Sequence, residues 1–339
     1  MPKAVVCREL GPPERLRLET FAPKPLAAGE VRVAIRAAGI NFPDILMAAG
    51  EYQLKPELPF TPGVEAAGDV VEIGSEASGV TVGDRRVTVG DRRVTVGDRV
   101  IVKMRYGAYA DEAVVAQSQL TALPSTFNYA EGATFLAAHG TAYHALVDRG
   151  QVRPGEILLV HGAGGGVGLA AVEMGKMLGA TVIAAASSDE KLAIAKSRGA
   201  DHLVLYATEP FRDAVKRITD GRGADVVFDP VGGEVFENSL RCIAWGARLL
   251  VIGFTGGIGL ARTNLVLMKG ASVLGVRAGE AVRRNPALGE VRLKALLDWA
   301  EQGKIRPNVS HRLPLEDYAK AMRLLIERKA IGRVALMMG

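Results

Sequence analysis

Gly162, Gly164, Gly165, Gly166 and Gly168 crowd the turn that follows the apolar run "EILLVH", and "LAAVEMGKMLG" continues at once in helical rhythm. Without side chains the backbone turns tightly and lets a phosphate approach the main chain, while a helix N-terminus offers its free N–H groups to the negative charge. The spacing through Gly162, Gly165 and Gly168 is G-x-x-G-x-x-G rather than the G-x-G-x-x-G of the dinucleotide fingerprint. A purely structural turn also uses such glycines. Strand, turn, helix and the second strand "TVIAAAS" in succession favour dinucleotide binding.

The residues after that second strand bear on which dinucleotide. A site for NAD usually places an acid there, about 20 residues beyond the turn, to hold the ribose 2′-hydroxyl. Here the place is taken by Ser187 and Ser188, followed by Lys191. Hydroxyls and a cation suit a 2′-phosphate, which an acid repels, so NADPH is favoured over NADH. Asp189 and Glu190 argue the other way. Ser187 and Glu190 nevertheless stand at capping-box spacing, so these acids read more economically as the first turn of the next helix.

Such a turn needs a parallel sheet to carry it. The runs "EILLVHG", "TVIAAAS", "DHLVLY", "ADVVFDPVGG", "ARLLVIGF" and "ASVLGV" alternate with amphipathic windows between residues 156 and 276, and six strands is the number of the doubly wound Rossmann sheet. Before them, from Val31 to about Val115, "VRVAIRA", "GDVVEIG", "RVIVKM" and "DEAVVA" are short β-branched runs split by Gly, Pro and Asp, which predicts an antiparallel β domain. Near the other end Leu315, Tyr318, Ala319, Met322, Leu325 and Ile326 trace a helical stripe expected to pack on a core.

Composition narrows the classes. A chain of 339 residues exceeds one average domain, and 48% apolar with 23% charged residues is an ordinary soluble profile. The net charge of +5 includes +2 from two repeated segments described below, so the remainder is not that of a nucleic-acid binder. Cys7 and Cys242 alone build neither a disulfide framework nor a Cys-rich zinc site, which fits a reducing cytosol. "MPKAVVCREL" is not a signal peptide and no 18-residue uncharged apolar run occurs, so a cytoplasmic protein off the membrane is expected.

The stretches "GINFPDILMAAGEYQLKPELPFTPGVEAAGDVVEIG", "GAYADEAVV", "HGAGGGVGLAAVEMGKMLGATVIAAASSDEKL", "DPVGG" and "IGRVAL" span nearly the whole chain. Together they resemble the zinc-free branch of the medium-chain dehydrogenases/reductases, the NADPH:quinone oxidoreductases related to ζ-crystallin. The resemblance implies an α/β fold in which a Rossmann doubly wound parallel sheet is inserted into a GroES-like, β-rich catalytic domain. The expected boundaries are 1–125 for the catalytic domain, 126–278 for the Rossmann domain and 279–339 for the return to the catalytic domain. It further implies NADPH-dependent, flavin-free reduction of quinones or activated enones, and homodimers pairing the last Rossmann strand, here near "ASVLGV". Zinc-dependent relatives carry a Cys within the segment matching "GINFPD", a G-H-E where this chain has Gly63-Val64-Glu65, and a four-Cys lobe. These ligands are missing, so no metal is expected.

Hydride transfer needs a donor on the acceptor oxygen, where negative charge develops. Asn41 and Tyr52 lie in the matched segment and both can donate to a carbonyl, so they are the catalytic candidates; Asp44 reads as a helix cap. By resemblance Thr141 lies near the nicotinamide, and Gly164, Gly165, Gly166 and Val167 meet the pyrophosphate. Ser187, Lys191 and Tyr206 surround the 2′-phosphate and adenine, Arg333 adds a phosphate contact, and Gly253, Phe254 and Thr255 flank the nicotinamide ribose. His139, His144 and His161 lack a carboxylate at triad spacing and read as core or helix-surface residues.

Arg277 and Ala278 stand where relatives often have bulky aromatics, which leaves the acceptor open. With Arg283 and Arg284 they admit an enoyl-CoA or acryloyl-CoA type reductase as an alternative. A non-catalytic NADPH- or RNA-binding crystallin-like protein is a third possibility. Its RNA form rests on the Arg-rich repeat alone, which lacks interleaved aromatics for stacking.

That repeat, "VTVGDRRVTVGDRRVTVGDRV" over 80–100, is one turn-and-strand element present three times, with 80–93 as the two added copies. Gly90-Asp91 is an acceptable hairpin loop, so a surface hairpin is expected, with a weakly specified register.

Overall fold

The computed structural model describes residues 1–74 and 94–339, so the hairpin expected around Gly90-Asp91 lies outside the described residues. The chain forms two compact units, residues 1–137 with 306–339, and residues 138–305 between them. These limits differ from the expected 125 and 278. The helix Pro286–Glu301 buries Leu296, Leu297 and Ala300, and its Trp299 lies 5.6 Å from the Tyr143 ring. Apolar burial assigns it to the second unit, although the sequence alone read 279 onward as the return.

The first unit opens with strands β1 (Lys3–Val6), β2 (Arg17–Thr20), β3 (Glu30–Gly39), β4 (Glu65–Ile73), β5 (Arg99–Lys103), β6 (Glu112–Ala116) and β7 (Leu120–Ala122). The second unit supplies β8 (Ile157–His161), β9 (Thr181–Ala186), β10 (His202–Leu205), β11 (Ala224–Asp229), β12 (Ile243–Val251) and β13 (Ser272–Gly275). The chain then returns with β14 (Val309–Pro314) and β15 (Arg333–Met337), which complete the first unit's sheet in the order β14-β15-β3-β4-β5-β7, with β6 also on β3.

Strand β3 organises this sheet. Val31, Val33 and Ile35 alternate into the core. Between them Arg32 points outward to Glu72 and Glu112, each at 2.8 Å, and Arg36 to Asp69 at 2.8 Å, so charge pairs lie across neighbouring strands. From Ala37 the strand is buried on both faces. At Gly39 a Cβ would lie 2.2 Å from the Ala133 carbonyl oxygen, so only glycine lets that backbone approach.

The last repeat copy, Val94 to Val100, leads into β5. Gly97 adopts φ 93° and donates to Val70 O at 2.8 Å, while Val70 N donates to Asp98 O at 2.9 Å. The turn is closed by Thr95 N donating to the Asp98 carboxylate at 2.8 Å.

In the second unit all six expected strands form one parallel sheet in the order β10-β9-β8-β11-β12-β13. Strand order reverses between β8 and β11, the point where such sheets bind dinucleotides. The expected C-terminal stripe becomes the turn Leu315–Asp317 and the helix Tyr318–Ile326, with Leu315, Ala321 and Met322 buried. Among the described residues no helix is long and apolar enough to cross a membrane.

Candidate active site

In the second unit β8 ends at His161 and the chain turns at Gly162, whose φ is 57°. Gly165 N closes the turn onto Gly162 O at 2.9 Å. A Cβ on Gly168 would lie 2.2 Å from that same oxygen, so Gly168 lets the helix Gly166–Met177 close on the turn. Its N-cap, Gly165, gives no side-chain cap bond, which leaves the first N–H groups for an anion. Gly164, Gly165, Gly166 and Val167 are therefore assembled as one cradle.

Beside it, β9 ends at Ala186 and is followed by Ser187, which is exposed. Lys191 Nζ donates to Ser187 Oγ at 3.2 Å. A Cβ on Gly164 would lie 2.4 Å from the Lys191 Cβ, so the glycine lets the lysine stem cross the turn. The helix cap is Ser188, which accepts from Lys191 N at 3.4 Å, not Ser187 as the capping-box spacing implied. The shift by one residue leaves Ser187 outside the helix. Asp189 and Glu190 occupy the helix's first turn, as expected.

Gly253, Phe254 and Thr255 follow β12, with Thr255 Oγ1 donating to Pro230 O at 3.2 Å and Phe254 exposed. Thr141 is half-buried in the helix Leu136–Tyr143. Tyr206 directs its hydroxyl to His161 Nδ1 at 2.9 Å, and His161 Nε2 reaches Ser239 Oγ at 2.9 Å. Burial lowers the His161 pKa to about 3 and raises that of Tyr206. His139 meets Glu173 at 3.3 Å, and His144 meets Asp148 at 2.8 Å. All three histidines are buried, and His139 and His144 each face a carboxylate that the sequence spacing did not mark.

In the first unit β3 leads through Ile40 to Asn41, the N-cap of the helix Phe42–Ala49. Asp44 accepts from Asn41 N at 2.8 Å, the reciprocal half of a capping box. Asp44 is thus the cap's third-position partner, and Asn41 is the cap itself. Asn41 Oδ1 accepts from Arg333 Nη2 at 2.9 Å, and Asn41 Nδ2 donates to Glu65 Oε1 at 3.2 Å and to Gly39 O at 3.4 Å. Both amide hydrogens are engaged, so in this arrangement Asn41 offers none to a substrate.

Arg333 Nη2 also meets Glu65 Oε1 at 2.5 Å, and Glu65 Oε2 accepts from Ala137 N at 2.9 Å. Its guanidinium, expected at a cofactor phosphate, is bound within this buried cluster, and its Nε is buried without a partner. Tyr109 donates to Asp44 Oδ2 at 2.8 Å, leaving Asp44 Oδ1 buried with no partner. Burial raises the Asp44 pKa to about 7; the bonds from Tyr109 and Asn41 and the Arg333 charge oppose the rise, and the Glu65 charge adds to it.

Tyr52 packs half-buried on this core, and its hydroxyl has no hydrogen-bond partner among the described residues. Among the described residues no three His, Cys, Asp or Glu side chains are grouped to hold a metal. Sequence reasoning missed Tyr109 and Ser239 as members of buried networks. Tyr109 lay in the noted stretch "GAYADEAVV", whereas nothing local marks Ser239.

Comparison with known proteins places both units. The alcohol dehydrogenase GroES-like domain family matches residues 27–125 and the zinc-binding dehydrogenase family residues 166–293. The chain is 36% identical over 337 residues to the quinone oxidoreductase-like protein 2 homolog of Nematostella vectensis, covering 98% of this chain and 88% of that protein. The crystal structure of Pseudomonas syringae quinone oxidoreductase matches with TM-score 0.85 and 30% identity, covering 99% of this chain and 100% of that one. Escherichia coli quinone oxidoreductase complexed with NADPH matches with TM-score 0.86 and 28% identity, covering 99% of each chain. The chain therefore belongs to the quinone oxidoreductase-like group of the medium-chain dehydrogenase/reductase family.

Proposed function

We propose that this oxidoreductase uses NADPH to deliver hydride to a quinone or an α,β-unsaturated carbonyl, without zinc. The observation that carries the cofactor choice is the Ser187–Lys191 contact of 3.2 Å at the end of β9, with the nearby acids drawn into the following helix. The Escherichia coli relative was solved with NADPH, which supports the same choice.

Bound NADPH supplies the hydride, and this chain's residues bind and orient. The amides of Gly164, Gly166 and Val167 would meet the pyrophosphate at the helix N-terminus, while Gly165, whose N–H closes the turn onto Gly162 O, would let the phosphate approach its main chain. Ser187 and Lys191 meet the 2′-phosphate; Thr141, Gly253, Phe254 and Thr255 line the nicotinamide end. Tyr52 donates to the acceptor oxygen as charge develops there. Asn41 acts one step back: its backbone N–H, bound by Asp44, anchors the start of the helix Phe42–Ala49, and Tyr52 N donates to Leu46 O of that helix at 3.2 Å. Zinc does not fit, because position 41 is an amide and Glu65 already pairs with Arg333.

A specific observation favours an acyl-CoA thioester as second acceptor class. Arg284 Nε lies 2.8 Å from Glu280, Arg283 bonds the same carboxylate, and Arg277 lies 3.9 Å from it. Three exposed guanidiniums around one carboxylate leave positive charge for phosphates. The reading also takes a second copy of the chain as partner, covering the sheet edge at β13 and the exposed Trp245, Leu267 and Met268.

The test is NADPH and NADH oxidation against a panel of quinones, enals and acyl-CoA esters. Faster turnover with NADPH and quinones or enals is expected. Preference for acyl-CoA esters selects the second reading, and no oxidation with any acceptor overturns both.

A further inference from the structure

Tyr206 is expected at the 2′-phosphate and adenine, yet its hydroxyl is engaged in a chain whose every bond has one direction. Ser239 Oγ lies 2.7 Å from Val235 O, and a carbonyl only accepts, so the Ser239 hydrogen is used there. Ser239 Oγ must then accept from His161 Nε2 at 2.9 Å. That puts the imidazole proton on Nε2. The ring is fully buried and neutral, so Nδ1 is bare and accepts the Tyr206 hydrogen at 2.9 Å. Tyr206 Oη keeps only lone pairs, and Gly162 N donates to one of them at 3.4 Å. Phe211 meets the His161 ring edge-on at 4.7 Å and holds it in place.

We propose that Tyr206 is a positioning residue for the glycine-rich turn rather than a donor to the 2′-phosphate. The chain runs one way, from Gly162 N–H through Tyr206, His161 and Ser239 to Val235 O. It starts in the turn after β8, passes through Tyr206 in the segment after β10 and back to His161 at the end of β8, and finishes in the helix Gly233–Ser239 that follows β11. It therefore bridges the place where strand order reverses and fixes the amide at which the turn begins. The consequence for binding rests on the proposed dinucleotide site: the chain sets affinity for the pyrophosphate that NADPH and NADH share, and leaves the preference between them to Ser187 and Lys191.

The experiment pairs two readouts on the full chain. Dissociation constants for NADPH and NADH are measured by nicotinamide fluorescence for wild type, Tyr206→Phe and Ser239→Ala. Nitrogen-15 spectra of histidine-labelled protein report the His161 tautomer without any nucleotide. Tyr206→Phe is expected to weaken NADPH and NADH several-fold by one common factor, with their ratio unchanged, and wild-type His161 to carry its proton on Nε2. Ser239→Ala gives the same common-factor loss and serves if Tyr206→Phe does not fold. Selective loss of NADPH, unchanged binding of both nucleotides, or a proton on Nδ1 in wild type overturns the proposal. Wild type that binds neither nucleotide refutes the proposed function instead, and the tautomer then decides the chain alone.

Discussion

Asp44→Asn isolates the charge on the buried carboxyl. Asp44 Oδ2 accepts from Asn41 N and Tyr109 Oη, both at 2.8 Å, and an asparagine oxygen keeps both bonds. The second oxygen is buried without a partner, so the neutral acid and the amide are near equivalents there. The pKa rises from 3.8 to about 7 on folding, so above pH 4 the folded state holds the proton more tightly than the unfolded one. Stability is therefore lost as pH rises through that window, and the loss levels off above about 7. Roughly three pK units correspond to about 4 kcal/mol in all, of which about 2.5 kcal/mol falls between pH 5 and 8. Wild type should lose that much relative to Asp44→Asn over the same range. Both tryptophans, Trp245 and Trp299, lie in the other unit, so urea unfolding is best followed by far-ultraviolet circular dichroism. Parallel pH profiles for the two proteins would refute the reasoning, because they would mean that Asp44 is ionised at no extra cost.

Three further outcomes are expected. Tyr52→Phe should lower turnover several-fold with a good electrophile while leaving the NADPH dissociation constant unchanged; an unchanged rate removes Tyr52 as the polarising donor. Deleting residues 80–93 should leave NADPH binding intact and stability equal or better, since the copy at Val94 to Val100 already forms the turn into β5; an unfolded or non-binding product contradicts this. Leu267→Glu places a charge on the apolar flank beside β13, and sedimentation should show wild type as a dimer and the variant as a monomer; wild type sedimenting as a monomer rejects that partner.

The sequence by itself determined the parallel sheet and its glycine turn, because both are written in short-range signals. Apolar runs spaced by helical windows bury themselves as a parallel sheet covered by helices, and Gly162, Gly165 and Gly168 lie close together in the chain they bend. The start of the helix after β9 was legible to one residue, with its cap at Ser188 rather than Ser187, whereas the helix read as capped by Asp44 begins three residues earlier, with Asn41 as its N-cap. What only the tertiary structure decided is where polar hydrogens go. Arg333 is 268 residues from Glu65, and His161 is 78 from Ser239. No local pattern couples such positions, yet inside a core each buried donor must find an acceptor. That requirement engages Asn41, Arg333 and Tyr206 with internal partners, whereas the Tyr52 hydroxyl has none among the described residues.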